Sequence, residues 1–312
     1  NLICVNDDRI KNHSAGHIST EEADILIRTL EKQLGNSRGE RPVTFHTGVS
    51  YRHLLVPRGG WASPALKCYP PHDYVGENAE TLLPRATEAA ATSTETRLVE
   101  LYHQSMAILA NHEVNKARAA KGKDPANAIW PWSPGCKPSM QTMQERFGLR
   151  GATISAVDLV QGLGKYAGMT TIHVPGATGL WDTNYEGKAQ ACLDALKDHD
   201  FVYVHVEATD EAGHAQDLEL KIKCIEMLDQ RLVRPILDGL DSRAIQATVA
   251  VLPDHPTPVE TGKHANDPVP VAIYNPTLPA DSTERYDELQ AATGSLGHMQ
   301  GDGFIKKVFN RS

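Results

Sequence analysis

The sequence predicts an α/β protein whose sheet is mostly parallel and is covered by helices on both faces. After Ser139, strand-like runs such as GATIS, TTIHV and FVYVHVEA alternate with helical segments such as DLVQGLGKYAG and EGKAQACLDALKDH. Strands separated by helices favour parallel pairing. Antiparallel neighbours can be joined by a short turn, whereas parallel neighbours need a long crossover, which is usually a helix. The preceding stretch lacks this alternation and is typical of an α+β arrangement. We therefore expect an α+β domain over residues 1–137 and an α/β domain over residues 138–312.

The first domain is expected to begin with a strand over residues 1–5, followed by a capped helix. Ser19 with Glu22 three residues later forms a capping-box pattern, and Gly35 is expected to end the helix. A single long helix is predicted from about residue 95 to residue 120.

Further elements are indicated by the same apolar patterns and turn residues. Strands are expected at residues 42–47, 51–56, 128–130, 245–253 and 269–274. Helices are expected at residues 140–147, from a cap at Asp158, and at residues 186–199, 218–237 and 303–309.

The net charge, the length of the apolar runs and the spacing of the cysteines indicate which partners and which location to expect. The net charge is −8, and an acidic chain without a block of Lys and Arg is a poor nucleic-acid binder. No apolar run approaches the roughly 20 residues that cross a bilayer. The five cysteines are dispersed without a C-x-x-C pair, which favours reduced thiols. We expect a cytoplasmic protein without nucleic-acid or membrane partners, either a monomer or a homo-oligomer.

Three short segments carry side chains that suit a divalent metal ion. They contain Asp210 and His214 in TDEAGH, Asp254 and His255 in LPDHPTP, and His264 in GKHANDP. Carboxylate and imidazole donors are the ligands that Mn²⁺, Mg²⁺ and Zn²⁺ take in proteins. The first two segments follow strand-like runs, so their side chains are expected beyond the carboxyl ends of the strands. In a helical turn, Asp210 and His214 would lie on one face.

Each of these signals has a structural alternative. A D-x-x-x-H pair is more often a surface pair on a helix, and Asp254 before Pro256 could simply begin a turn. Chemistry alone therefore leaves a metal site and a set of surface residues equally open. Five donors are also few for two ions, since each takes about four to six donors.

The long motifs around these residues resemble the cofactor-independent phosphoglycerate mutases of the archaeal-type branch, within the alkaline phosphatase superfamily. The resemblance rests on VYVHVEATDEAGHAQD, LPDHPTP, KHANDPVP and GATGLWDTNYEGKA, and on SAGHISTEEA and GVSYRHLLV in the first domain. It covers essentially the whole chain. It implies an alkaline-phosphatase-like fold with an inserted, substrate-gripping α+β domain over residues 1–137.

The resemblance implies two divalent ions, Mn²⁺ or Mg²⁺ with Zn²⁺ as a third candidate, and no organic cofactor. Asp210, His214 and His264 match the ligands of one ion, and Asp254 and His255 match ligands of the other. The family completes the second ion with an Asp in an N-terminal DG motif and a nucleophilic Ser or Thr, which have no counterpart here. We expect that part of the metal-binding domain, with the nucleophile, to precede residue 1.

The resemblance also suggests residues that contact the substrate, a small phosphorylated metabolite. The candidates are Lys165 near the transferring phosphoryl group and Arg52, His53, Asp73, Lys116 and Arg118 elsewhere, with His72 beside Asp73. Each could instead be a surface charge or a structural residue. Glu207 could orient a metal-bound histidine or cap a turn. We interpret His13, His17 and His103 as structural or surface residues.

The activity implied is the interconversion of 3-phosphoglycerate and 2-phosphoglycerate through a phosphoserine or phosphothreonine enzyme. Three alternatives stay open. One is a homoserine-kinase-like phosphotransferase on the same scaffold, and another is a metal-dependent phosphatase in which water captures the phosphoryl group. The last is a non-catalytic protein that binds a metal or a metabolite.

Overall fold

The structure is a computed structural model that describes residues 1–36 and 38–309. The chain separates into two compact units, Asn1–Lys137 and Pro138–Ser312. In the described residues, no helix combines the length and apolarity that crossing a bilayer requires.

The first unit consists of small antiparallel sheets packed with helices. Its strands are β1 (Leu2–Asn6), β2 (Arg9–Asn12), β3 (Val43–His46), β4 (Leu54–Pro57), β5 (Leu66–Lys67), β6 (Arg85–Ala86) and β7 (Ala128–Ile129). Its α-helices are α1 (Thr20–Leu34), α2 (Thr92–Leu109) and α3 (Glu113–Ala120), with 3₁₀ turns at Pro71–Tyr74, Glu80–Leu82 and Ala89–Ala91. Strand β1 pairs antiparallel with both β2 and β7, and β3 pairs with β4. The strands expected at residues 1–5 and 42–47 are confirmed as β1 and β3, and the strand expected at residues 51–56 is found as β4, which begins only at Leu54.

Helix α1 begins at the predicted cap, but only one of the two bonds of the predicted capping box is present. The Ser19 hydroxyl accepts a hydrogen bond from the backbone N–H of Glu22, which satisfies a donor that the helix start leaves free. The Glu22 carboxylate pairs with the buried Arg118 guanidinium at 2.5 Å. Leu26 and Leu30, one turn apart, are fully buried, so one face of α1 packs into the core of this unit.

The prediction of one long helix over residues 95–120 is wrong, because the helix is divided between α2 and α3. His112 has an extended backbone, and its Nδ1 accepts a hydrogen bond from the N–H of Val114, so it caps a new helix. The buried Asn115 amide donates to the carbonyl oxygens of Leu109 and Ala126 at 2.9 Å. These bonds satisfy the end of α2 and stabilise the break.

The second unit has the expected α/β alternation. Its strands are β8 (Gly151–Ile154), β9 (Thr170–Ile172), β10 (Phe201–Val204), β11 (Val249–Val251) and β12 (Ala272–Tyr274). Its α-helices are α4 (Met143–Phe147), α5 (Asp158–Tyr166), α6 (Tyr185–Ala195), α7 (Ala208–His214), α8 (Leu218–Leu228), α9 (Arg234–Ser242), α10 (Glu288–Ala291) and α11 (Gly303–Val308).

The order β10-β8-β9 forms a parallel sheet, with Tyr203 opposite Thr153 and Thr153 opposite Thr171. The predicted α/β class is confirmed. Strands β11 and β12 pair with each other as a separate antiparallel ladder. Helices α5 and α7 follow β8 and β10 after short loops, so both helices begin at the carboxyl edge of the sheet.

Two local predictions in this unit are corrected. Asp158 is the first residue of α5 rather than its cap, since Val157 holds the cap position without a side-chain bond. The helix expected over residues 218–237 contains a π-helical turn at Asp229–Val233 between α8 and α9. A π turn inserts one extra residue, which changes the face that the following helix presents.

Candidate metal centre

Helix α7 places Asp210 and His214 on one face, as their spacing predicts. The His214 Nε2 atom lies 3.3 Å from the Asp210 Oδ2 atom. The loop that follows β11 brings His264 to the same point. Its Nε2 atom is 3.5 Å from Asp210 Oδ1 and 3.0 Å from His214 Nε2. We call Asp210, His214 and His264 the Asp–His cluster; their ligand atoms all lie within 4.8 Å of one another.

The hydrogen bond on the far side of the His214 ring fixes which nitrogen is available. The Nδ1 atom lies 2.9 Å from the Gly262 carbonyl oxygen. A carbonyl only accepts, so Nδ1 carries the hydrogen, and the Nε2 lone pair of the neutral ring faces the cluster. A metal-binding histidine usually donates its other N–H in this way.

Asp210 is oriented by residues that sequence reasoning missed. The Thr257 hydroxyl donates a short hydrogen bond to Asp210 Oδ1, and Thr257 is buried. Lys221 of α8 donates to the Thr257 carbonyl oxygen at 2.5 Å. Gly213 allows this approach, because a Cβ atom there would lie 2.5 Å from the Thr257 oxygen. Only the fold brings α7, α8 and the Thr257 loop together, so sequence spacing gave no signal.

The pair Asp254 and His255 lies beside the cluster. The His255 and His264 rings are tilted by 34° with centroids 3.8 Å apart. The Asp254 side chain is largely exposed, with one oxygen 3.5 Å from His255 Nε2. Its charge raises the pKa of Tyr203, after the larger effect of burial. The five predicted ligands therefore lie in one neighbourhood at the carboxyl edge of the sheet.

A directional hydrogen-bond chain approaches the cluster from β8 and β10. The Ser155 hydroxyl accepts from the N–H of Val157 and lies 3.2 Å from His205 Nδ1, while His205 Nε2 lies 3.4 Å from Glu207 Oε2. The Glu207 carboxylate only accepts, so the His205 Nε2–H faces it, and Nδ1 of the neutral ring then accepts from the Ser155 hydroxyl. Burial lowers the pKa of His205, which favours the neutral form of the ring.

Glu207 is a fourth acidic group in this region. It precedes α7 without making a side-chain cap bond. Burial, followed by the charges of Asp210, Glu211 and Asp254, raises its pKa. The Glu207 carboxylate is oriented by its contact with His205. Of the two roles considered from the sequence, Glu207 therefore does not use its side chain to cap the helix.

Two lysines of the second unit differ in burial. Lys165 is exposed in the last turn of α5, about 10 Å along the helix from its start at the carboxyl edge. Lys188 lies in the first turn of α6 and is buried, and its ammonium donates to the His205 carbonyl oxygen at 3.0 Å. Burial lowers its pKa, and the Glu207 charge opposes that shift.

The substrate candidates of the first unit fall into two groups. Arg52 is exposed, with its guanidinium 5.1 Å from the Tyr51 ring centroid, and Asp73 is exposed with a carboxylate oxygen 3.7 Å from His72. Lys116 is exposed and pairs with Glu113 at 2.8 Å. These side chains are accessible to a ligand.

His53 and Arg118 are instead enclosed. The His53 Nδ1 atom accepts from the N–H of Gly48, its Nε2 atom is buried without a partner among the described residues, and burial lowers its pKa to about 4. Arg118 is 1% exposed and donates to Glu22 and to the carbonyl oxygens of Ala15 and Asp124. Its three nitrogens therefore all have protein acceptors.

Nearly the whole of this chain is similar in sequence and in structure to known proteins. The model of the Metalloenzyme superfamily matches residues 5–303. The 2,3-bisphosphoglycerate-independent phosphoglycerate mutase of Methanosarcina acetivorans is 46% identical over 306 residues, covering 98% of this chain and 74% of that protein. The mutase 2 of Methanothermobacter thermautotrophicus is 47% identical over 292 residues, covering 93% and 69%.

Two solved structures share the fold. A protein from Pyrococcus horikoshii aligns with a TM-score of 0.80 and 26% identity, covering 100% of this chain and 73% of that one. The cofactor-independent phosphoglycerate mutase of Thermoplasma acidophilum aligns with a TM-score of 0.61 and 25% identity, covering 95% and 71%.

An Asp–His–His set beyond the carboxyl edge of a sheet suits a divalent metal ion, and the superfamily match shows that the chain is a metalloenzyme that depends on such an ion. More particularly, the chain belongs to the family of 2,3-bisphosphoglycerate-independent phosphoglycerate mutases, which are isomerases. The family expected from the motifs is confirmed.

Proposed function

We propose that the protein interconverts 3-phosphoglycerate and 2-phosphoglycerate as a metal-dependent intramolecular phosphotransferase. The observation that carries the proposal is the convergence of His214 Nε2 and His264 Nε2 on the Asp210 carboxylate. The relatives are named as mutases, which favours this activity over a homoserine-kinase-like transfer or a phosphatase. The substrate is then a small phosphorylated metabolite.

The residues of the Asp–His cluster fit a divalent ion. One carboxylate and two imidazoles are a suitable donor set, and the bond from His214 Nδ1 to Gly262 leaves the Nε2 lone pair free to coordinate. The Thr257 hydroxyl orients the Asp210 carboxylate by donating a hydrogen bond to it. We propose two ions, Mn²⁺ or Mg²⁺ with Zn²⁺ as a third candidate, without an organic cofactor. Asp254 and His255 would contribute to the second.

Bound there, a divalent ion would lower the pKa of a coordinated hydroxyl and offset the charge on phosphoryl oxygens. The chain's own residues prepare this chemistry. Lys221 and Thr257 fix the orientation of the Asp210 carboxylate toward the two histidines of the cluster. The carboxylate therefore needs little reorientation during the reaction. Ser155 and His205 hold the Glu207 carboxylate close to Asp210, where it can accept a hydrogen bond from a bound hydroxyl or water.

The transfer is proposed to proceed through a phosphorylated serine or threonine. The hydroxyl oxygen forms a bond to phosphorus as the bond to one glycerate oxygen breaks, and the other glycerate hydroxyl then reverses the step. The first unit, Asn1–Lys137, is proposed to supply the residues that grip the substrate. The second unit, Pro138–Ser312, is proposed to supply the residues that bind the metal. Arg52, Asp73 and Lys116 are the accessible candidates, whereas Lys165, His53 and Arg118 stay predictions. We propose a cytoplasmic location, as a monomer or homo-oligomer.

The test is a mutase assay on the protein with 3-phosphoglycerate and Mn²⁺, following 2-phosphoglycerate and free phosphate together. We expect 2-phosphoglycerate without stoichiometric release of phosphate. Replacing His264 with Ala should lower kcat/KM by at least about 100-fold, because metal-ion catalysis supplies several kcal/mol and each 1.4 kcal/mol is tenfold.

His298→Gln is the matched control, an exposed histidine whose ring contacts Gln300. It should retain activity. Release of phosphate without 2-phosphoglycerate would refute the mutase and support hydrolysis, while ATP-dependent phosphorylation of homoserine would support the kinase. Full activity in the His264→Ala variant would remove the cluster from the mechanism.

A further inference from the structure

A loop of the second unit passes beside the metal centre. It lies between β9 and α6, and we call its residues 176–183 the GATGLWDT loop. Since β9 is parallel to β8 and β8 is parallel to β10, the loop leaves the sheet at the same carboxyl edge as α7. A Cβ atom at Gly179 would lie 3.9 Å from the Cβ and Cγ atoms of Glu207. Ligand atoms of Glu207 and Asp210 lie within 4.8 Å of each other, so the loop borders the metal centre.

Polar side chains of the loop and its flanks hold its backbone. The Thr178 N–H donates to the Thr183 hydroxyl oxygen at 3.0 Å, and Thr183 is buried. The Thr178 hydroxyl in turn donates to the Asp182 carboxylate at 2.8 Å. At the end of the loop, the Asn184 amide donates to the Pro175 carbonyl oxygen at 2.9 Å. The position of the loop beside Glu207 is therefore fixed by hydrogen bonds.

The tip of the loop presents two large apolar side chains. The Thr183 N–H donates to the Leu180 carbonyl oxygen at 3.2 Å, so Trp181 and Asp182 are the central residues of a β-turn. Leu180 is 42% exposed and Trp181 is 45% exposed. Ligand sites combine apolar and aromatic surface of this kind with a small number of polar groups. Here the polar groups are Glu207 and the Asp–His cluster.

A phosphorylated enzyme at an open sheet edge has two possible acceptors for its phosphoryl group. One is a glycerate hydroxyl, and the other is water. In the second case the water oxygen bonds to phosphorus as the bond to the enzyme oxygen breaks. One water proton goes to the enzyme oxygen, and the other leaves on inorganic phosphate. A mutase has to suppress this reaction, and excluding water from the site is the physical means of doing so.

We propose that Leu180 and Trp181 cover the bound substrate at the metal centre and keep water away from the phosphorylated enzyme. The phosphoryl group then returns to glycerate and is not lost as inorganic phosphate. The two side chains supply no proton and no charge, so they act as positioning residues that decide between two acceptors. This inference rests on the proposed function, because only a mutase needs to separate transfer from hydrolysis.

The covering of Trp181 can be measured without any turnover. The full chain is labelled with 5-fluorotryptophan, and the Trp181 signal in the ¹⁹F NMR spectrum is assigned from the spectrum of Trp181→Phe. The tryptophans are Trp61, Trp130, Trp132 and Trp181. The difference in shift between H₂O and D₂O reports how much solvent reaches each ring. With Mg²⁺ and 3-phosphoglycerate added, we expect the Trp181 signal to lose most of this difference.

The choice of acceptor is measured as the ratio of phosphate release to formation of 2-phosphoglycerate. Trp181→Ala should raise this ratio about tenfold or more, the change that 1.4 kcal/mol between two barriers produces. Leu180→Ala should raise the ratio in the same direction. Trp181→Phe keeps an apolar ring and should keep the parent ratio. A purely structural role would lower both rates together and leave the ratio unchanged.

Leu289→Ala is the matched control, because Leu289 is an apolar residue of α10 in the same unit and is 85% exposed. It should leave both rates and their ratio unchanged. A parent ratio retained in Trp181→Ala, or a Trp181 signal equally open to solvent with and without 3-phosphoglycerate, would overturn the proposal. A protected Trp181 in a parent protein that forms no 2-phosphoglycerate would support the covering of the site and refute the proposed function.

Discussion

The two units of the chain differ in how completely they bury their apolar side chains. In the first unit Leu26, Leu30 and Leu101 are fully buried in a single cluster with strand residues. In the second unit Leu163 is 49% exposed and Ile225 is 54% exposed, although both are in helices. Among the described residues, the first unit therefore contains more fully buried apolar side chains than the second, and such burial contributes roughly 25 cal/mol per Å². The second unit carries the Asp–His cluster at an open edge of its sheet.

This difference indicates where each unit is sensitive to substitution. In the first unit, changes in the core should reduce stability because the packed neighbours cannot close a cavity. In the second unit, the contacts that position the site residues are hydrogen bonds. Examples are the bond from Lys221 to the Thr257 carbonyl oxygen and the bond from Lys188 to the His205 carbonyl oxygen. Changes there should alter metal binding more than folding.

The largest loss of stability is expected at Arg118. Replacing it with Met would leave the Glu22 carboxylate and two carbonyl oxygens without their donor. Breaking a buried ion pair on one side costs about 3–5 kcal/mol, which denaturant unfolding would detect.

Lys116→Met is the control for Arg118, because Lys116 is an exposed residue of the same helix and pairs with Glu113. It should change the free energy of unfolding by no more than about 1 kcal/mol. Unchanged stability together with weaker phosphoglycerate binding in Arg118→Met would instead support the substrate role that the resemblance suggests.

A direct test of the comparison pairs a core residue with an exposed one. Leu101→Ala in the first unit should cost about 2–5 kcal/mol, since the side chain is fully buried and a cavity would remain. Ile225→Ala in the second unit should lie within about 0.5 kcal/mol of the parent protein. Equal losses, measured by denaturant unfolding, would contradict the difference between the units.

Local patterns account for much of the fold. The cap at Ser19 and the spacing of Asp210 and His214 depend on residues three or four apart, so the sequence alone predicts them. The break before α3 was missed because it depends on Asn115 binding the Ala126 backbone across the unit. Apolar periodicity continues through such a break without marking it.

The supports of the site were missed for a similar reason. Thr257 and Lys221 act on Asp210 from segments that are separated in sequence, so no motif spacing relates them. Lys188 lies in a helical pattern that gives no sign of a buried ammonium.

A moderate effect on metal binding is expected from Thr257→Val, which keeps the shape of the side chain but removes its hydrogen bond to Asp210. Groups that orient a metal ligand typically contribute about 10–100-fold in affinity, so we expect about tenfold weaker Mn²⁺ binding by calorimetric titration. Thr261→Val is the control, because its hydroxyl contacts only backbone groups, namely the Pro258 and Lys263 carbonyl oxygens and the Lys263 N–H. Equal affinities for the parent and Thr257→Val would show that Asp210 does not depend on this hydroxyl.

The smallest effect concerns Asp194, a half-exposed carboxylate near the end of α6. Hydrogen bonds from the Gln190 amide and the Lys197 ammonium, with a further bond from Arg243, lower its pKa to about 2. A lowered pKa means that the folded state favours the ionised form. Its contribution to stability is therefore complete above the unfolded pKa of about 4 and disappears as the pH falls through about 2. Asp194→Asn should be slightly less stable than the parent at pH 7 and equal to it near pH 2. Asp198→Asn, which removes a carboxylate from an exposed neighbour, is the control for the loss of one surface charge. A difference for Asp194→Asn that persists unchanged at low pH would mean that the contacts act through packing rather than through the charge of the carboxylate.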